Sequence, residues 1–172
     1  MQKRKIVLIG PPGAGKSTVG KALSKELKWD FADSDRMVEL KTGRKISDIF
    51  VEDGESTFRG IEEEVVLELL KDFDGVISLG GGAPINPKIE SVLAGADYPV
   101  IFLDVTIAQA AVRIGFNKER PLLLVNPRQQ WISLMSTRRG VYEKLATKTI
   151  STDSKKPAEA AAEIVSLLGI NA

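Results

Sequence analysis

The 172-residue chain contains no cysteine and no histidine. The first absence excludes disulfide staples, thiolate nucleophiles and thiolate metal sites. The second removes the commonest general base and metal ligand. Whatever chemistry the chain performs falls to Asp, Glu, Lys, Arg and the backbone. A surplus of charge is missing too: 24 Lys plus Arg face 23 Asp plus Glu, a net +1. There is then no electrostatic footprint for nucleic acid or an anionic membrane, and any anion must be gripped locally. Long apolar runs are also lacking. The start, Met1 to Lys5, is basic, but Ile6 to Ile9 is too short for a signal peptide or a membrane span, and a cytoplasmic location is expected.

What is present suits a packed soluble fold. Hydrophobic residues make up 43% and charged residues 27%, a balance unlike that of disordered or membrane chains. The length fits one domain, 1–172, and modest size with balanced charge leads us to expect a monomer. Short β-rich apolar runs alternate with helical patterns, which predicts an α/β layered domain with a parallel sheet. The predicted strands are Lys5 to Ile9, Phe31 to Asp33, Val76 to Leu79, Val100 to Val105 and Lys148 to Ser151; Phe31 to Asp33 has the weakest pattern. Helical faces are carried by Val19, Leu23 and Leu27 and by Ile61, Val65 and Leu69. Thr106 with Gln109, and Asn126 with Pro127 and Gln129, read as capping boxes, and a last helix opens at Pro157. The least regular stretch is 115–126, which is either a mobile lid or a loop whose leucines pack down.

The strongest signal is Gly10-Pro-Pro-Gly-Ala-Gly-Lys-Ser-Thr18, a G-x-x-x-x-G-K-[ST] pattern between an apolar strand and an amphipathic helix. Its glycines let amide N–H groups converge on phosphate oxygens, and the helix adds its positive end. Gly13, Ala14, Gly15, Lys16, Ser17 and Thr18 are the predicted nucleotide contacts. Lys16 would reach the outer phosphates of ATP, and Ser17 would help hold Mg²⁺, with Thr18 the weaker candidate. The second strand ends in Asp33-Ser34-Asp35, where one acid could support the metal and the other orient a substrate hydroxyl, or one could cap the next helix. Gly80-Gly81-Gly82 ends the third strand and suggests a closely approaching ligand, met by exposed amides. Arg59 with Glu62 and Glu63, Arg120-Pro-Leu-Leu, and Arg138-Arg139-Gly-Val-Tyr142 would each read alone as surface.

Taken in order, the P-loop, D-x-D, F-R-x-x-E, triple glycine, R-P-L-L and R-x-x-x-Y resemble the motifs of the shikimate kinase family over nearly the whole chain. The resemblance implies a P-loop kinase fold with a five-stranded parallel sheet flanked by helices on both faces. It also implies a mobile lid at about 115–126, and transfer of the γ-phosphoryl group of ATP, with Mg²⁺, to the 3-hydroxyl of shikimate. It further implies Asp35 at the shikimate hydroxyls and Asp33 near the metal. Arg59 and Arg138 would hold the carboxylate, Gly80, Gly81 and Gly82 would line the acceptor site, Arg120 would be a lid arginine over the phosphates, and Arg113 and Lys155 would lie beside adenine. Lys155 is Arg in some relatives, and Gly60 replaces an Arg often found there. Two other readings remain open: another small P-loop kinase, of adenylate or gluconate type, or a silent nucleotide-binding module. A guanine-specific switch is disfavoured, because Asn117-Lys118-Glu119-Arg120 ends in Arg where an N-K-x-D signature needs Asp.

Overall fold

Strands covered on both faces need no polar alternation, and Ile6, Val7, Leu8 and Ile9 are all fully buried in the central strand β1 (Lys5–Ile9), as expected of a sheet between two helical layers. The computed structural model describes residues 4–115 and 126–171. After β1 come α1 (Lys16–Leu27), β2 (Phe31–Asp33), α2 (Ser34–Thr42), α3 (Ile46–Asp53) and α4 (Glu55–Asp72). The chain continues through β3 (Gly75–Ser78), a 3-10 turn (Ala83–Ile85), α5 (Pro87–Ala94), β4 (Val100–Asp104), α6 (Ile107–Ile114), α7 (Pro127–Leu145), β5 (Lys148–Ser151) and α8 (Pro157–Leu168). The sheet order is β2-β3-β1-β4-β5, and every pairing is parallel. The five predicted strands are therefore all present, with bounds within a residue of expectation.

Parallel pairing turns the carboxyl ends of all five strands to one edge of the sheet. The order reverses at β1: the chain leaves it toward β2 and later returns past it from β3 to β4. Right-handed crossovers then put α1 on one face and α4, α5 and α7 on the other. The contacts agree, since α1 packs on α8 while α4 packs on α5 and α5 on α7. Crevices at such a reversal are where open α/β sheets bind ligands.

Helix ends explain several bounds. Thr106 accepts from the Gln109 N–H at 3.4 Å, but its own N–H goes to Asp153, so the box expected there is only half formed. Asn126 departs from expectation altogether. It sits at φ 46, ψ 68 with no side-chain cap, because a capping side chain reaches back over the helix only from extended backbone. On α4 the buried residues are Phe58, Glu62, Val65, Val66, Leu69 and Leu70. The predicted face is thus rotated slightly away from Ile61, which is only partly buried.

Gly75 begins β3 at φ +145, and a Cβ there would meet the carbonyl of Asp30, the same group that accepts from Val76 N–H at 2.9 Å. Gly75→Ala should lower the unfolding free energy by about 3 kcal/mol or more, from backbone strain plus overpacking. A urea melt reads this directly, and an unchanged midpoint would contradict it.

Candidate active site

The loop between β1 and α1 turns on three glycines with positive φ, Gly10, Gly13 and Gly15. A side chain at Gly10 would sit 2.5 Å from the Leu103 carbonyl. The loop's carbonyls are held from outside or by its own lysine. Lys16 Nζ donates to Gly10 O at 2.8 Å and Pro11 O at 2.9 Å. The Trp131 indole donates to Pro12 O at 2.8 Å. Arg113 Nη1 donates to Gly13 O at 3.1 Å and Ala14 O at 3.2 Å, and Thr152 Oγ1 donates to Ala14 O at 2.8 Å. A trans peptide is planar, so a carbonyl held outward turns the following N–H inward. With Gly15 capping α1, the result is an anion cradle at a helix N-terminus.

Ser17, in the first turn of α1, donates to Asp33 Oδ2. The other oxygen of Asp33 accepts from the N–H groups of Asp35 at 2.9 Å and Arg36 at 3.3 Å, which makes Asp33 the N-cap of α2. A single acid therefore carries both the capping role and the place beside Ser17. Asp35 lies in the first turn of α2, not on extended backbone as its spacing from Asp33 suggested. A hydroxyl joined to a carboxylate suits a hard divalent cation that takes its remaining oxygens from water and phosphate.

The three glycines after β3 are narrow because side chains crowd them. A Cβ on Gly80 would lie 2.7 Å from Asp35 Oδ1 and 3.0 Å from Glu62 Oε2; one on Gly81 would lie 3.3 Å from Pro12 and 3.4 Å from Arg138; one on Gly82 would fall inside the Arg59 guanidinium. The Gly80 N–H is not exposed as expected: it donates to Ser34 Oγ at 2.9 Å. Gly81 O accepts from the Tyr142 hydroxyl at 2.6 Å. Tyr142 is fully buried, and burial pushes its hydroxyl up to about 12, so it acts as a donor.

Arg59 is no solvated surface residue. It pairs with Glu62 at 2.8 Å and with Glu55 at 3.4 Å, and Glu62 is only 2% exposed. Burial raises the Glu62 carboxyl above its usual range against the opposing pull of Arg59. Glu63, by contrast, faces outward to Asn86 and Lys88. The adjacent arginines on α7 part company as well: Arg139 grips both oxygens of Asp104 at 2.9 and 3.0 Å, whereas Arg138 is buried against the glycine turn.

Two clefts open at this edge. One, of about 820 Å³, carries Arg59, Glu62, Arg138, Gly82, Phe50 and Phe58. The other, of about 470 Å³, carries Gly13 to Thr18, Arg113 and Lys155. They share Pro12, Ser17, Asp33, Asp35, Gly80 and Gly81, so an anion in the cradle and a polar acceptor in the larger cleft would meet across Asp35. Lys155 lines its cleft while its ammonium bonds Ser151 O and Glu163, each at 2.6 Å. Arg120, and the expected lid apart from its ends Gly115 and Asn126, lie outside the described residues. Glu62, Trp131 and Thr152 were not picked out as site residues from the sequence.

A model of the family described as shikimate kinase matches residues 12–169. A shikimate kinase of Thermobifida fusca is 50% identical over 155 residues, covering 90% of this chain and 89% of that protein. One of Rhodococcus erythropolis is 44% identical over 167 residues, covering 96% and 98%. The crystal structure of a shikimate kinase from Acinetobacter baumannii in complex with shikimate superposes with a TM-score of 0.92 at 36% identity, covering 97% of this chain and 93% of that one.

The Glu62 shift has a pH signature. Its folded pKa lies above the unfolded value of about 4.3, so the native state binds this proton more tightly, and the stability so gained is lost as pH rises through the folded pKa. The stability difference between the unmodified chain and Glu62→Gln should therefore be most favourable to Glu62 below about pH 4 and shrink as pH increases. Thermal melts of both proteins across that range check the sign; a difference that grows with pH would refute it.

Proposed function

The chain belongs to the shikimate kinase family, and from that premise we propose how its residues divide the ATP-dependent phosphorylation of shikimate among them. The observation that carries the assignment is the pair of clefts joined at Ser17, Asp33, Asp35, Gly80 and Gly81. ATP lies along the smaller one, its phosphates against the amides of Gly13, Ala14 and Gly15, with Thr18 at the rim and Arg113 and Lys155 flanking the base. Lys16 leaves the loop carbonyls for the outer phosphates and follows the charge as it moves to the β-phosphate. Ser17 and Asp33 would hold Mg²⁺, which neutralises phosphate charge when bound.

Shikimate occupies the larger cleft. Arg59 and Arg138 take its carboxylate, a task suited to the guanidinium fork, and Glu62 keeps Arg59 at the correct height. Gly80, Gly81 and Gly82 let the ring lie against bare backbone. Asp35 accepts the hydrogen bond of the 3-hydroxyl and points its oxygen at the γ-phosphorus. The new P–O bond forms in line as the bond to the β-phosphate oxygen breaks, and ADP departs. Such transfer asks for positioning and charge stabilisation more than covalent help, and Arg120 would add charge over the phosphates. Every group assigned a role comes from a single chain, which supports a monomer. No described helix is long and apolar enough to cross a membrane, in keeping with a cytoplasmic enzyme.

Two measurements test this reading. ADP release in the presence of shikimate, AMP or gluconate should be fast with shikimate alone; comparable rates with AMP or gluconate would return the chain to another kinase class. Lys16→Ala and Asp35→Ala should lower kcat by roughly 10²-fold or more. Arg59→Ala should instead raise the KM for shikimate about ten- to a hundredfold, the worth of a charged hydrogen bond, with kcat less affected. Near-normal kcat in Asp35→Ala would remove its proposed role.

A further inference from the structure

We propose that Trp131 is a positioning residue for the nucleotide loop, acting through the Pro12 carbonyl. Pro11 and Pro12 have no N–H to donate, and the loop's own turn, Ala14 N–H to Pro11 O at 3.2 Å, leaves Pro12 O outside it. The donor that reaches Pro12 O is the indole of Trp131, 2.8 Å away and 119 residues distant in the chain. The next residue, Gly13, sits at φ +84, in a region where glycine rotates with little cost. The Pro12–Gly13 peptide plane is therefore the joint of the loop most open to rotation. Because that plane is rigid and trans, fixing its oxygen fixes the Gly13 N–H on the opposite side, and Gly13 lines the nucleotide cleft.

The placement of Trp131 extends the argument. It is 5% exposed and shares the buried face of α7 with Arg138 and Tyr142. Tyr142 holds Gly81 O, and Pro12 lines both clefts. One helix face thus sets the backbone on the acceptor side through a phenol and on the phosphate side through an indole. A purely structural Trp would contribute ring packing alone, and phenylalanine would supply much of that.

The inference rests on the nucleotide assignment, so the test begins with ADP titrated calorimetrically into the unmodified protein; no binding there would overturn that assignment itself. Given binding, Trp131→Phe should weaken ADP about two- to tenfold, the range for one lost neutral hydrogen bond. The KM for ATP should rise alongside, with a smaller change in kcat and with the KM for shikimate within about twofold. ADP affinity equal to that of the unmodified chain, with only a lowered Tm, would overturn the role of Trp131.

Should the variant fail to fold, the unmodified protein supplies a second reading. The chain has two tryptophans, and Trp29 lies just beyond the far end of α1. On adding ADP, the ¹⁵N indole resonance of Trp131 should shift and its N–H exchange more slowly with water, while that of Trp29 stays in place. An unmoved Trp131 resonance at saturating ADP would equally overturn the proposal.

Discussion

A peptide unit is rigid, so the outside of the Gly10–Gly15 loop decides what its inside can bind. Amide groups can meet phosphate only if their neighbouring carbonyls are turned away, and a carbonyl turned away from its own loop needs a donor elsewhere. This chain recruits those donors from three separate regions: Arg113 on α6, Trp131 on α7 and Thr152 just past β5. The cradle is thus a property of the assembled fold. The nine-residue motif is necessary for it but holds only part of its own backbone, through Lys16 and the turn from Ala14 to Pro11.

The sheet makes that recruitment feasible. With every strand parallel, each contributes its carboxyl end to one rim: the glycine loop after β1, Asp33 on β2, the glycine turn after β3, Asp104 on β4 and Thr152 after β5. Asp104 shows how such a rim is kept in order. It takes the whole fork of Arg139 and so leaves the neighbouring Arg138 to face the glycine turn. Two consecutive arginines on a helix point about 100° apart, and here that angle separates a structural ion pair from a ligand-facing cation.

Much of this was readable from residues alone, for reasons that can be named. The strands announced themselves because burial on both faces leaves an unbroken apolar run, and the glycine loop did so because few backbones other than a phosphate cradle need that spacing. Glu62 was hidden by composition: in the acidic run Glu62-Glu63-Glu64 it looks solvated. Yet it lies four residues after Phe58 and three before Val65, in phase with the buried stripe of α4, and that phase was a usable signal. Trp131 and Thr152 gave no local sign, since their partners lie 119 and 138 residues away. Asn126 misled because a favourable capping residue was read without its backbone angles, which only the packed chain supplies.

The missing histidine finally makes physical sense. An imidazole is valuable where a proton must move early to create a nucleophile near neutral pH. In phosphoryl transfer the transition state is loose, the acceptor oxygen carries little extra charge until late, and proton removal contributes less than alignment. A carboxylate, an ordinarily weak base at neutral pH, suffices for alignment if it is held rigidly. Asp35 is held in that way: its N–H is tied to Asp33, and its oxygen lies so near Gly80 that a single methyl there would displace it. The same logic accounts for the bare glycines. Where geometry carries the rate, the backbone must come as near as Asp35, Glu62 and Arg59 require, and only a residue without Cβ allows all three at once.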